Sequence, residues 1–288
     1  MTYANLFLIL GSSVLHVVGH VVLKSANDRK AAAWWVLVWS IILFLPLLLF
    51  GLPVIPPLTW GILLLSGVLQ TLYFWSIINA YQTEDLSVVY PLARGSAPGF
   101  LLLWSFLFLG ERPTLGGVVG ILLIAAGLYA IGLPTLRAWR EPLRALRQIG
   151  PRWALLAGLC ISLYTVVDRV GVRRLDPLIY LYVVIWITLI FITPATIRAV
   201  GWKGLRAEWQ ASRFNNVIAG FTTMAAYAIV LYAIRNGTPA SYAGSIREVS
   251  VVLGVVVGVV FLKEKGTAMR FVGAACVAAG IVMIKLLG

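Results

Sequence analysis

LSVVYPLARGSAPGFLLLWSFLFLGE (residues 86–111) and PASYAGSIREVSVVLGVVVGVVFLKE (residues 239–264) are one element met twice in the same chain. Each stretch is apolar, and each places an arginine near its start, Arg94 and Arg247. Each then reaches a glutamate 17 residues later, Glu111 and Glu264, so these two stretches stand 153 residues apart from end to end. An arginine inside a membrane helix costs about 2.5–3.5 kcal/mol on insertion scales. A chain that carries this cost twice, in register, uses it, and the use inferred is the movement of a polar solute.

Working outward, SVLHVVGH (13–20) lines up with SLYTVVDR (162–169) at an offset of 149. Gly67 matches Gly220, Gly120 matches Gly273 and Gly127 matches Gly280, all at 153. Apolar runs long enough to cross a bilayer cover approximately 3–23, 32–51, 59–81, 86–110, 114–133, 153–172, 177–199, 214–234, 239–262 and 267–286. The expected fold is an all-α membrane protein of ten transmembrane helices in two five-helix repeats, 1–134 and 152–288, joined by a basic connecting loop over 135–151. Five is odd, so the second repeat is inverted relative to the first, as in secondary transporters with sites near the midplane.

The composition agrees. The chain is 61% hydrophobic and 11% charged, with a mean hydropathy of +0.95, which belongs to a polytopic membrane protein. The first apolar run has no basic leader and no small-residue cleavage site, so it is expected to remain as a helix. The net charge of +13 points to membrane lipids and not to nucleic acid, because most of its cations lie in short loops. Loops after the odd-numbered runs, together with Arg198 and Arg270 at the adjoining run ends, hold 15 Lys and Arg, against five on the other side with Lys285 included. The positive-inside rule then puts both termini outside a plasma (inner) membrane. In the connecting loop, Arg137, Arg140, Arg144 and Arg147 alternate with Leu136, Trp139, Leu143 and Leu146. This pattern reads as a short amphipathic helix on the membrane surface or as a basic linker. Cys160 and Cys276 fall in apolar runs and read as small core residues.

The paired helix ends FLGERPT (108–114) and FLKEKGT (261–267) carry a resemblance to the drug/metabolite transporter superfamily, in its ten-helix form built from two EamA domains. Pro98, 13 residues before Glu111, follows the EamA pattern; Val251 stands in its place in the second half and implies a straighter ninth helix. The resemblance covers essentially the whole chain. It implies export of amino acids or other metabolites, sugar-phosphate carriage or multidrug export, and cytoplasmic termini in many members, opposite to the charge count. It also implies that the fifth and tenth helices stand apart from the transport core. Gly116, Gly120, Gly127, Gly273 and Gly280 allow them close contact.

The candidate substrate-binding residues are His16, His20, Gln70, Tyr73, Tyr90, Arg94, Tyr164, Asp168, Tyr227, Tyr242, Arg247 and Glu248. Arg94 lies about 12 Å into its helix at 1.5 Å per residue, too deep to reach an interface easily. Tyr90 is one turn before it. Arg247 and Glu248 point about 100° apart and suit ion pairs such as Glu248 with Arg94 and Arg247 with Asp168, which serve either structure or transport. Asp168 is a proton carrier, an amine counter-charge or the neutraliser of Arg169 or Arg247. His16 and His20 share a face, but no glutamate or third ligand completes a zinc site; they line a polar cavity or pack. Gln70, Tyr73, Ile77 and Tyr81 form a stripe suited to a pocket wall, while Trp34, Trp35, Trp60 and Trp153 at span ends read as interfacial anchors. Glu111 and Glu264 read as surface groups paired with Arg112 or Lys263.

The function expected is a secondary transporter working by alternating access. Its solute is a small polar metabolite, zwitterionic or anionic, such as an amino acid, since a bidentate arginine suits a carboxylate or phosphate. Rivals are a multidrug exporter of cations, which Arg94 and Arg247 would repel, and a flippase for lipid-linked substrates. An enzyme or signalling subunit finds no nucleophile–base set or metal cluster. No nucleotide-binding loop is present, no cofactor is expected, and the assembly is a monomer or homodimer.

Overall fold

An apolar run in hydrocarbon must satisfy its backbone N–H and C=O groups within itself, so it folds as a helix. The computed structural model describes residues 1–24, 26–51, 53–83, 86–260 and 267–288, with side chains except at 20–24, 50, 81–83, 86–88, 90, 91 and 258–260. Every regular element among these residues is helical. The first half holds α1 (Tyr3–Lys24), α2 (Arg29–Phe44, extended by a 3-10 turn to Phe50), α3 (Pro57–Thr83), α4 (Leu86–Leu109) and α5 (Leu115–Ile131). Two 3-10 turns, Leu136–Arg140 and Ala145–Arg147, flank the short α6 (Glu141–Arg144). The second half holds α7 (Ile149–Gly171), α8 (Pro177–Arg235), α9 (Ala240–Arg247), α10 (Val249–Val260) and α11 (Ala268–Leu287).

Seven helices among the described residues are long and apolar enough to cross a membrane, or eight if the bent pair 115–131 and 136–147 counts as one. This is fewer than the ten runs read from sequence, for identifiable reasons. The apolar part of α1 is counted only over Tyr3–Gly19, and α5 has 17 residues. The 59-residue α8 is counted once, yet a straight helix of that length would run about 88 Å, far beyond a hydrocarbon core of about 30 Å. Its backbone leaves helical geometry at Gly201 (φ 70°) and Ser212 (φ −132°). The stretch between those breaks carries Lys203 and Arg206, which belong outside hydrocarbon.

The halves meet as a pseudo-symmetric pair. A methyl group on Gly120 would lie 2.7 Å from the Gly280 carbonyl oxygen, and one on Gly280 would lie 2.5 Å from that of Gly120. Gly127 and Gly273 repeat the relationship at 2.6 and 2.5 Å. Since Gly120 and Gly273 are equivalent in the repeat, as are Gly127 and Gly280, each contact is the twofold image of the other. The expected close packing of the fifth and tenth runs is therefore backbone on backbone between α5 and α11. Thr114 and Thr267, the last residues of the matching helix-end motifs, cap these two helices through Gly117 N–H (3.0 Å) and Arg270 N–H (3.4 Å).

Two expectations need correction. The ninth run is not the straighter one: α4 is unbroken through Pro91, Gly95 and Pro98, whereas the equivalent stretch divides at Glu248. There the Glu248 N–H turns to the Ser245 carbonyl (3.1 Å) and the Val251 N–H to the Glu248 carbonyl (3.0 Å), a tightening to i→i−3 bonding. Trp34 and Trp35 are also more than interfacial anchors. Their indole N–H groups donate to Thr193 Oγ1 (2.9 Å) and the Leu205 carbonyl (2.8 Å), and their rings meet Trp202 and Trp209, fastening α2 to α8.

Candidate functional site

Helix α9 is the part that aims Arg247, and Glu111 holds its beginning. One oxygen of Glu111 accepts from the Ala240 N–H (2.6 Å); the other accepts from the Ser241 N–H (3.2 Å) and hydroxyl (2.6 Å). A carboxylate there satisfies open N–H groups and complements the helix dipole. Glu111 is therefore a cap reaching from the first half to the second, not a surface group paired with Arg112. Its counterpart Glu264 lies outside the described residues. The residues before α9 are set by Gly237 (φ 92°), which closes α8 with bonds from Thr238 N–H to the Ala233 carbonyl and from Gly237 N–H to the Ile234 carbonyl. Thr238 Oγ1 then accepts from Asn5 Nδ2 (2.8 Å), joining α1 to the same end.

Below this capped end the charged side chains gather. Arg94 of α4 and Glu248, between α9 and α10, form an ion pair at 3.2 Å, with side chains 16% and 6% exposed. The Arg247 guanidinium lies 4.6 Å from the centroid of the Tyr227 ring of α8, a cation–π contact, and has no carboxylate partner among the described residues. Its carbonyl accepts from Ser13 Oγ of α1 (3.3 Å). Tyr227 is edge-on to Tyr164 (6.0 Å between centroids), and Tyr164 is edge-on to Tyr73 of α3 (6.2 Å).

Asp168 sits at the other end of Tyr227. It is fully buried and accepts from three hydroxyls: Ser66 (2.5 Å), Tyr180 (2.8 Å) and Tyr227. Neither Ser66 nor Tyr180 stood out in the sequence. Ser66 precedes Gln70 by four residues and so shares its face of α3, a signal that was available. Tyr180 reaches Asp168 only because Gly171 leaves room for its ring; a methyl there would lie 2.1 Å from it. Arg169 turns away, donating to the Ile234 carbonyl. It is a tie between α7 and α8, and Asp168 does not neutralise it by a direct bond among the described residues.

The remaining candidates divide. Gln70 is buried, and its Nε2 has no hydrogen-bond partner among the described residues. Buried donors without partners are uncommon enough to require a reason. Tyr242 is buried with its hydroxyl end against Gly117 of α5, on the side of the α5–α11 scaffold. His16 is half-buried in α1 and engaged. Ile77 joins a small apolar cluster at the α3–α4–α7 junction. The side chains of His20, Tyr81 and Tyr90 lie outside the described residues. Among the described residues no three His, Cys, Asp or Glu side chains are grouped to hold a metal, and Cys160 and Cys276 are free thiols.

The fold and this central cluster define a polytopic, all-helical membrane protein with two related halves around a charged and aromatic interior. The chain belongs to the EamA-like transporter family, which matches residues 4–133 and 148–286, one half each, and is thus a membrane transporter of that family. No curated protein matches it by sequence. Of 28 solved chains that match, one titled only "Crystal structure of protein" aligns over 100% of both chains with a TM-score of 0.75 at 14% identity. At that identity it speaks to the fold alone.

Proposed function

We propose that the protein is a secondary transporter of ten crossings, that it works by alternating access, and that its substrate is a small zwitterion such as an amino acid. The observation that carries the substrate class is the charge balance of the cluster. With Arg169 turned away to the Ile234 carbonyl, Arg94 and Arg247 stand against Glu248 and Asp168 in the cluster, two against two. An unbalanced charge taken into such an interior is costly, so a solute without net charge fits best. Arg247, unmatched by a direct carboxylate contact among the described residues, offers a bidentate partner for a substrate carboxylate. The open Gln70 donor adds a second bond, and the rings of Tyr73, Tyr164 and Tyr227 supply an apolar wall. An anionic metabolite is the neighbouring case and uses the same arginine.

The experiment is a thermal-shift screen of metabolites against purified protein, since a ligand of the folded state stabilises it by mass action. Uptake of the ligand found is then measured in proteoliposomes. Arg247→Ala is expected to abolish uptake while the protein stays folded, and Arg247→Lys to restore little, because an ammonium lacks the planar fork. Normal uptake by Arg247→Ala overturns the reading. The proposed location is a plasma (inner) membrane with both termini outside. Single cysteines at Arg206 and Arg173 test it by labelling from opposite sides.

A further inference from the structure

The connecting segment between the halves is folded onto the body and not slack. Its axis turns by 110° from α5, which lays it across the direction of the helices. Ala138 and Pro142 are buried beneath it. The Tyr129 hydroxyl donates to the Trp139 carbonyl (2.7 Å), and Arg152 Nε donates to the Leu146 carbonyl (3.0 Å), fixing both ends. On the outer side Leu136, Trp139 and Leu143 are 69%, 45% and 46% exposed. The Arg140 guanidinium lies 4.8 Å over the Trp139 ring. Trp139, Arg140, Leu143, Arg144 and Arg147 line one open cavity of about 640 Å³, with no acidic residue in its wall among the described residues.

We propose that this cavity binds the headgroup of an anionic phospholipid in the leaflet at that face. The guanidiniums of Arg140, Arg144 and Arg147 are opposite in sign to a phosphodiester and have the fork geometry that binds one. The exposed Trp139 and Leu143 suit the glycerol and upper acyl region, where amphipathic segments rest. A free phosphate would satisfy the arginines and leave the apolar side chains in water, so the lipid accounts for more of the surface. The occupant would brace the one covalent link between the two halves.

The test uses the full chain purified in neutral detergent. Phosphatidylglycerol, phosphatidylcholine and inorganic phosphate are titrated separately, and thermal midpoint and bound lipid by native mass spectrometry are read. Phosphatidylglycerol is expected to raise the midpoint and remain bound, with phosphatidylcholine and phosphate doing neither. The variant Arg140→Gln/Arg144→Gln/Arg147→Gln changes exposed side chains only and should bind phosphatidylglycerol more weakly by about fivefold per arginine lost. Trp139→Leu, which keeps all three charges, should weaken it less. Equal stabilisation by phosphatidylcholine, or undiminished binding by the triple variant, overturns the proposal. An equal shift with inorganic phosphate overturns the lipid assignment in favour of a soluble anion.

Discussion

Arg94 in the first half is ion-paired with Glu248 in the second, at 3.2 Å. Arg247, its repeat equivalent, instead lies over the Tyr227 ring. One arginine is thus committed to joining the halves and the other stays available. Removing one member of a buried pair leaves an uncompensated charge, at a cost of up to about 3 kcal/mol. Glu248→Ala and Arg94→Ala are each expected to lower the thermal midpoint. The double variant should recover part of the loss, with a coupling of about 0.5–3 kcal/mol. Strict additivity in the double-mutant cycle would mean that the pair holds nothing together. Arg94→Ala is also expected to abolish uptake, because Glu248 would then compete for Arg247.

Tyr227 has two jobs that substitution can separate. Its ring supports Arg247 and its hydroxyl donates to Asp168. Tyr227→Phe keeps the ring and removes the donor, leaving Asp168 with two of its three hydroxyls. The expectation is a stability loss of about 1–3 kcal/mol, read by thermal unfolding, with KM for uptake nearly unchanged. Tyr227→Leu loses the ring as well and should raise KM. If Phe impairs KM as much as Leu, the ring is not what orients the guanidinium.

Much of this was readable from residue spacing. The offset of 153 residues put Arg94 with Arg247 and Gly120 with Gly273, and of the two ion pairs that the spacing offered, Glu248 with Arg94 forms, whereas Arg247 and Asp168 make no direct contact among the described residues. What spacing could not supply was where side chains go when several partners are in range. Arg169 chose a carbonyl, Asp168 chose hydroxyls, and Glu111 chose two backbone N–H groups of the other half. Each choice depends on contacts between segments far apart in sequence, such as Glu111 and Ala240. The break at Glu248 was hidden too, because proline content alone pointed to α4 as the kinked member.

The α5–α11 contact should tolerate no side-chain growth. Gly120→Val and Gly127→Val each drive a branched side chain into a carbonyl already within 2.7 and 2.6 Å of a methyl position. Both are expected to reduce the yield of folded, monodisperse protein in size-exclusion chromatography. Gly11→Ala, where nothing stands within 4 Å of the added carbon, should behave as wild type. A well-folded Gly127→Val would mean that the two helices do not pack as closely as described.

Glu111 links the scaffold to the site through α9. The eight-residue helix has the glutamate at its N-terminal end and Arg247 at its last position. Too short to be stable alone, it depends on contacts and on its cap. Glu111→Ala is expected to cost about 1 kcal/mol in stability, the usual loss of a capping side chain. It should also raise KM for uptake, because the guanidinium is no longer held in place. Glu111→Gln keeps one acceptor oxygen and replaces the other by an amide NH2, so it should fall between wild type and Glu111→Ala. Arg112→Ala supplies the control, since a surface pair with Arg112 would make both variants equally harmful, whereas a cap leaves Arg112→Ala silent. Uptake kinetics and thermal midpoints for the three variants together decide the matter, and a silent Glu111→Ala would remove the cap from any role in placing Arg247.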